Sequence, residues 1–427
     1  MATTVIVYPS GTTSNTNPHV LFSGGTGATY TIEMTTTGEL KFCQDIATVV
    51  NEVLTGITST WISTLEYVDY DDRMYLQGQY IIGNTIIDEG ISAFTSNNTL
   101  VATDYYSGLT VYRVDTVFDS SGSIMFITGD NDTSAGTPEV IRRVDLSTGQ
   151  VTHEFVVGTG GHIHSRLINY EHNGTEYLAF SEISGSSSST ACITIMNPNN
   201  LSIIGRYGYT PTSNIIISYI DDLQYDSSNG KIYWTMSAGG YAYLNAGTVF
   251  GSLDLSTNTV STGSTVPYFF YSQNQILDGT SKVYTAGFAC DSGDPAQAPI
   301  TGMTYGYYDH SNNTYTELTS KTIDYSLGSN ADIDVSVNGH SDKDKDTGDI
   351  YQLFLYDLLR VDSSSGAIVD TTDVRYEGDY YYSGHTSNYS GTRAIVTAMG
   401  YNESTNTVWT SRYNGDNRVT NIVIYGN

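Results

Sequence analysis

Tyr225-Asp-Ser-Ser-Asn-Gly-Lys-Ile-Tyr-Trp-Thr235 reads as a tight polar turn that feeds an aromatic and aliphatic strand. Asp and Asn side chains bond the backbone two residues on, and Gly tolerates the positive φ that closes such a turn. Ile, Tyr, Trp and Thr favour the pleated, half-buried surface that follows. The same order of chemistry returns in Asp69-Tyr-Asp-Asp-Arg-Met-Tyr-Leu76, Asp119-Ser-Ser-Gly-Ser-Ile-Met-Phe-Ile127 and Glu171-His-Asn-Gly-Thr-Glu-Tyr-Leu178. It returns again in Leu277-Asp-Gly-Thr-Ser-Lys-Val-Tyr284, Asp344-Lys-Asp-Thr-Gly-Asp-Ile-Tyr351 and Asn402-Glu-Ser-Thr-Asn-Thr-Val-Trp409, making seven copies roughly 50–60 residues apart.

A second motif follows each of the first six copies by about 25 residues, an alternating hairpin around an Asx-type turn. Its members are Phe94–Leu100, Val144–Val151, Met196–Leu201, Leu253–Val260, Tyr308–Tyr315 and Val361–Ile368. Two hairpins per period make four strands per unit, and antiparallel four-stranded units at this period are the signature of propeller blades. The expected fold is therefore all-β: a seven-bladed β-propeller of four-stranded antiparallel blades with a small N-terminal β-module. The blades are expected at 60–107, 108–159, 160–212, 213–265, 266–320, 321–372 and 373–427. A β-sandwich or a solenoid of hairpins is the competing architecture. One blade cannot bury both its faces, so stability must come from stacking on its neighbours. The seventh unit stops after Arg418-Val-Thr-Asn-Ile-Val-Ile-Tyr425, one strand short, and the missing outer strand is expected from within Ile46–Thr60. Residues 1–45 are expected to form the attachment or oligomerisation module, 46–59 the connector and closing strand, and 60–427 the propeller.

The chain has 427 residues, with 45 Asp and Glu against 17 Lys and Arg, a formal charge of −28. No pool of cations exists to neutralise phosphates, which argues against nucleic acid as a partner and, for the same reason, against anionic membrane surfaces. Disorder is contradicted by 12% aromatic residues and abundant β-branched ones. Cys43, Cys192 and Cys290 are odd in number and far apart, with neither disulfide-framework nor zinc spacing. No apolar run reaches the roughly 18–20 residues of a membrane helix, so no membrane insertion is expected. Met1-Ala-Thr-Thr-Val-Ile-Val-Tyr-Pro9 lacks a basic n-region, so no secretory signal peptide is expected. The Ser/Thr/Asn/Gly/Tyr-rich, Lys-poor composition is nevertheless that of an extracellular protein. A virion component released by lysis reconciles the two.

Tyr225–Thr235 resembles the YWTD-type propeller repeat, and the wider set resembles NHL- and YVTN-type propellers. The likeness covers one blade well and the others loosely, and YWTD domains are typically six-bladed with shorter repeats. It implies the fold and no ligand. Val20-Leu-Phe-Ser-Gly-Gly25, an alternating run and then Gly38-Glu-Leu-Lys-Phe42 resemble the N-terminal segments of tailed-phage fibre and structural proteins. That resemblance implies attachment to other virion proteins through the N-terminal module, homo-oligomerisation, and a C-terminal part that presents a surface.

In a four-stranded blade the turns joining strands one to two and three to four share one face, and the remaining connections share the other. The first set is short and repetitive. The second includes Gly158–His164, Ser237–Asn245, Ala289–Pro299 and Glu377–His385, which differ in length and content. Irregular loops on a rigid scaffold are where binding residues sit. Tyr380, Tyr381, Tyr382, Tyr241 and Tyr243 are the candidate ligand-binding aromatics: Tyr supplies large contact area with few torsions and stacks on sugar rings. A tyrosine that fills space between blades is the competing reading, and three in succession cannot all be buried alike. His162 and His164 alternate along a strand and with His385 form a second candidate set; imidazoles at that spacing bind transition metals, although no third ligand is identifiable. Asp342, Asp344, Asp346 and Asp349 resemble the start of a calcium loop, but Thr347 and Leu353 stand where an EF-hand needs Gly and Glu. A shortened calcium turn and a solvated acidic turn both remain open there; otherwise no cofactor is expected.

No Gly-x-Ser-x-Gly elbow, His-Glu-x-x-His or phosphate loop is present. A sialidase-type aspartate box fails at Asn229. Asp221/Asp222 and Asp332/Asp334 are carboxylate pairs of the kind a glycosidase needs, in a chain where such pairs are common. The leading expectation is a non-enzymatic phage virion surface protein that binds host-surface glycan or protein. A polysaccharide depolymerase or lyase is the runner-up, and an architectural protein contacting other virion subunits the third reading. The acidic surface favours function at high ionic strength, where self-repulsion is screened.

Overall fold

The computed structural model describes residues 19–23, 29–34, 40–45, 57–82, 85–95, 100–102, 115–130, 139–158, 162–163, 165–183, 191–209, 219–237, 247–268, 270, 274–290, 300–322, 340–354, 357–373, 394–414 and 419–426. They fall into two compact units, one of Met1–Val111 with the C-terminal strands, the other chiefly Tyr112–Arg375.

The first unit opens with β1 (His19–Ser23), β2 (Thr29–Met34) and β3 (Leu40–Asp45). Blade one follows as β4 (Ile57–Val68), β5 (Arg73–Ile82), β6 (Thr85–Thr95) and β7 (Leu100–Ala102), hydrogen-bonded in that order. In the second unit, blade two is β8 (Thr116–Phe118), β9 (Ile124–Asp130), β10 (Glu139–Asp145) and β11 (Gln150–Val156). Blade three holds β12 (His162–Ile163), β13 (Ile168–His172), β14 (Thr175–Ile183), β15 (Ala191–Asn197) and β16 (Ser202–Tyr209). Both β12 and β13 pair with β14, so they are two pieces of one inner strand interrupted between Ile163 and Ile168. Blade four is β17 (Tyr219–Asp226), β18 (Lys231–Ser237), β19 (Thr248–Asp254) and β20 (Thr259–Val266). Blade five is β21 (Gln275–Leu277), β22 (Lys282–Cys290), β23 (Ile300–Asp309) and β24 (Thr314–Thr322). Blade six is β25 (Ser341–Lys343), β26 (Ile350–Phe354), β27 (Asp357–Val361) and β28 (Ile368–Asp373). The last strands, β29 (Ala394–Asn402), β30 (Thr407–Asn414) and β31 (Val419–Gly426), belong again to the first unit. Among the described residues seven antiparallel sheets thus succeed one another, and the fold is an all-β, seven-bladed β-propeller.

Blade seven differs from the expected form in one respect. Its fourth strand is β3, which pairs antiparallel with β31 from Lys41↔Tyr425 to Asp45↔Asn421. The donor is therefore Leu40–Asp45, upstream of the expected Ile46–Thr60, of which Ile57–Thr60 begins β4 instead. Strands β1 and β2 continue the same sheet outward, giving the order β1-β2-β3-β31-β30-β29. The N-terminal strands are thus an extension of blade seven. Pairing with β31 satisfies the backbone groups of an edge strand that would otherwise be open.

Within the second unit the core lies between sheets. Tyr170, Ala179, Ile193 and Ile195 of blade three pack with Ile220, Leu223, Trp234 and Val249 of blade four. Phe126 and Ile141 of blade two meet Leu178, Phe180 and Met196 of blade three. Tyr284 and Tyr305 of blade five meet Phe354 and Leu359 of blade six. Middle strands such as β19 are almost wholly buried, while outer strands such as β11 are exposed along their length.

The turns form as their chemistry dictates. Asp226 Oδ1 accepts the Ser228 N–H at 2.9 Å and Gly230 takes φ of +65°. In the second motif Asp254 Oδ1 accepts from the N–H groups of Ser256 and Thr257 and from the Ser256 hydroxyl, before Asn258 takes φ of +57°. Asp145 and Asp309 repeat the pattern through Ser147 and Ser311.

Candidate functional site

Where inner strands of blades two to five begin or bulge, polar side chains cross from one sheet to the next. Asp115 immediately precedes β8, its backbone tied to Thr128 of β9. Its carboxylate accepts the N–H of Leu167 in the break between β12 and β13. In the same break Arg166 directs Nε at Asp222 Oδ1, 3.5 Å away on β17. Asp222 follows a register irregularity in the β17–β18 pairing, a feature that re-aims a side chain. Asp222 Oδ2 accepts the Asn274 N–H at 2.8 Å, and the Asn274 amide donates to Thr235 at 2.9 Å. Gln275 carries the chain of contacts onward to the Ser341 carbonyl of blade six at 3.2 Å. Next to Arg166 in the chain, Ser165 exchanges backbone-to-hydroxyl bonds with Ser181, and Ser181 donates to the Ile220 carbonyl.

The electrostatics follow from burial. Asp222 is 2% exposed, and desolvation raises its carboxyl above the usual range against the pull of Arg166 and the Asn274 N–H. Desolvation likewise pushes the partly buried Asp115 up to about 6, with Arg166 and the Leu167 N–H opposing and Asp222 reinforcing the rise. Two carboxylates thus share one guanidinium, and the cluster can take up or release a proton near neutrality. Of these residues the sequence reading considered Asp222 alone, through the Asp221/Asp222 pair. Asp115, Arg166 and Asn274 are isolated polar residues with no motif spacing, and their one local signal is a carboxylate opening the apolar run Thr116-Val-Phe118.

His162 lies on β12 opposite Ile183. Its side chain, together with His164, Tyr241, Tyr243, Tyr380, Tyr381, Tyr382, His385 and the pair Asp332/Asp334, lies outside the described residues. The acidic turn of blade six is described. Asp344 Oδ1 accepts from the N–H groups of Asp346 and Thr347, and its Oδ2 accepts the Thr347 hydroxyl at 2.6 Å. Asp349 accepts the Ser363 N–H, and Asp342 accepts the Lys343 N–H. Asp344 thus braces its own turn, Asp349 ties that turn to the one after β27, and Asp346 is exposed. Among the described residues no three His, Cys, Asp or Glu side chains gather as a metal-binding set.

No protein-family model and no curated protein matches the chain. Solved structures resemble it at 9% identity. The hydrazine synthase of Kuenenia stuttgartiensis gives a TM-score of 0.53, over 86% of this chain and 96% of that one. An oligogalacturonate lyase in complex with manganese gives 0.52, over 93% and 96%. A Dos1 propeller gives 0.48, over 96% and 88%. At this identity the likeness is one of fold.

Proposed function

We propose that this chain is a recognition protein of an extracellular particle, a virion surface component whose propeller presents irregular connections to host glycan or protein. The observation that supports it is the division of labour among connections. Turns between strands one and two and between three and four are short, and an Asp at the start of the turn braces many of them, as at Asp145, Asp226, Asp254, Asp309 and Asp362. The other connections range from residues 83–84 to residues 374–393, and they carry the Tyr380–Tyr382 run, Tyr241, Tyr243 and His385. In this reading β1–β3 form the attachment segment toward other virion proteins and further copies of the chain.

Cleavage of polysaccharide is the second reading, favoured by the raised carboxyls of Asp115 and Asp222. Against it, Asp222 is enclosed and engaged by neighbouring blades, whereas an acid or base must reach its substrate. Incubating the protein with bacterial surface polysaccharides and following both by size-exclusion chromatography separates the readings. Co-elution with intact polymer is expected; shortened polymer would establish the enzyme, and no change in either would favour an architectural role. Binding without a cofactor is the expectation, and repeating the run with calcium and with chelator tests whether Asp342, Asp344, Asp346 and Asp349 add an ion.

A further inference from the structure

We propose that Asp115, Arg166 and Asp222 form a proton-dependent clamp across blades two, three and four, which holds them more tightly at mildly acidic than at neutral pH. Each joint crosses a sheet boundary: the Asp115 carboxylate on the Leu167 N–H, Arg166 Nε on Asp222, and Asp222 on the Asn274 N–H of the segment leading into blade five. Among the described residues, the charged groups facing Asp115 are Arg166 and Asp222, and those facing Asp222 are Arg166 and, in turn, Asp115, with the Gln224 amide at 3.4 Å. Among the described residues, the buried Asp222 and the partly buried Asp115 set against one partly exposed guanidinium leave one surplus negative charge. A single proton removes it, and a protonated Asp115 still offers its carbonyl oxygen to Leu167.

The direction follows from linkage. A carboxyl near 4 in the unfolded chain and near 6 in the fold stabilises the fold fully below pH about 4. That contribution is lost as pH rises through about 6. A desolvated carboxylate that shares its cation with a second carboxylate is costly to keep ionised, so the loss falls on the joints between blades.

The test is the melting temperature of the full chain between pH 4.5 and 8 for wild type, Asp115→Asn and Arg166→Gln. Asn keeps the size and the acceptor without the ionisation. Asp115→Asn is expected to melt above wild type at neutral pH, with the gap closing as pH falls through about 6. Arg166→Gln removes the group that lowers both carboxyls and shifts the wild-type profile to higher pH. Parallel profiles for wild type and Asp115→Asn would overturn the proposal. Should that variant fail to fold, carbon NMR of the wild-type Asp115 carboxyl decides: a midpoint near 6 supports the clamp and one near 4 overturns it. Other titrating groups are common to all three proteins and cancel in the differences.

Discussion

A Cβ placed on Gly251 would lie 2.0 Å from Cζ2 of Trp234, whose indole is buried in the core between blades three and four. The indole is fully buried and would have to shift, so Gly251→Ala is expected to cost about 1–3 kcal/mol through overpacking. A fall in the urea midpoint checks this; an unchanged midpoint would mean that the indole yields. His310 tells a different story of burial. Its ring stacks on Tyr233 at 4.0 Å and lies edge-on to Tyr308, and desolvation pushes it down to about 3. Its contribution is present above pH about 6.5 and is lost as pH falls toward 3. His310→Phe, which keeps the stack, is expected to flatten that part of the melting profile. Asp362 adds a later loss: the hydroxyls of Ser365 and Ser364 hold it at about 2, so its turn weakens only below pH about 4.

At the scale of elements, the pairing of β3 with β31 joins residues almost the whole chain apart. Deleting residues 1–39 spares β3 and is expected to leave a soluble protein, whereas deleting 1–45 bares the β31 edge and should promote aggregation. Light scattering on the two truncations checks this, and equal solubility would contradict it. The turns were legible in the sequence because their chemistry is local. Asp254, Ser256 and Asn258 determine one another within five residues. The run Gly38–Phe42 reads as a short strand, but β3 continues to Asp45, and nothing in its alternation distinguishes a partner in its own meander from one at the far end of the chain. The pairing of β3 with both β2 and β31 is settled by sheet geometry.

For the whole molecule, seven repeats of a turn and strand made the fold readable, while the cluster of Asp115, Arg166 and Asp222 was not. Those residues meet only because blades stack, and stacking leaves no spacing signature. Burial, which gives the two carboxyls their unusual proton affinity, is likewise a property of the assembled sheets. The irregular connections, by contrast, announce themselves by composition, and recognition through them is the central claim. Its most direct test is the affinity of the full chain for a bacterial surface polysaccharide that it retains on the column. Wild type is compared with the Tyr380→Ala/Tyr381→Ala/Tyr382→Ala variant and with Asp346→Asn on the exposed regular turn. The triple variant is expected to bind about tenfold more weakly or worse, a loss of ~1.4 kcal/mol, with Asp346→Asn unchanged. Binding that survives the triple substitution but fails with Asp346→Asn would place recognition on the regular turns and contradict the claim.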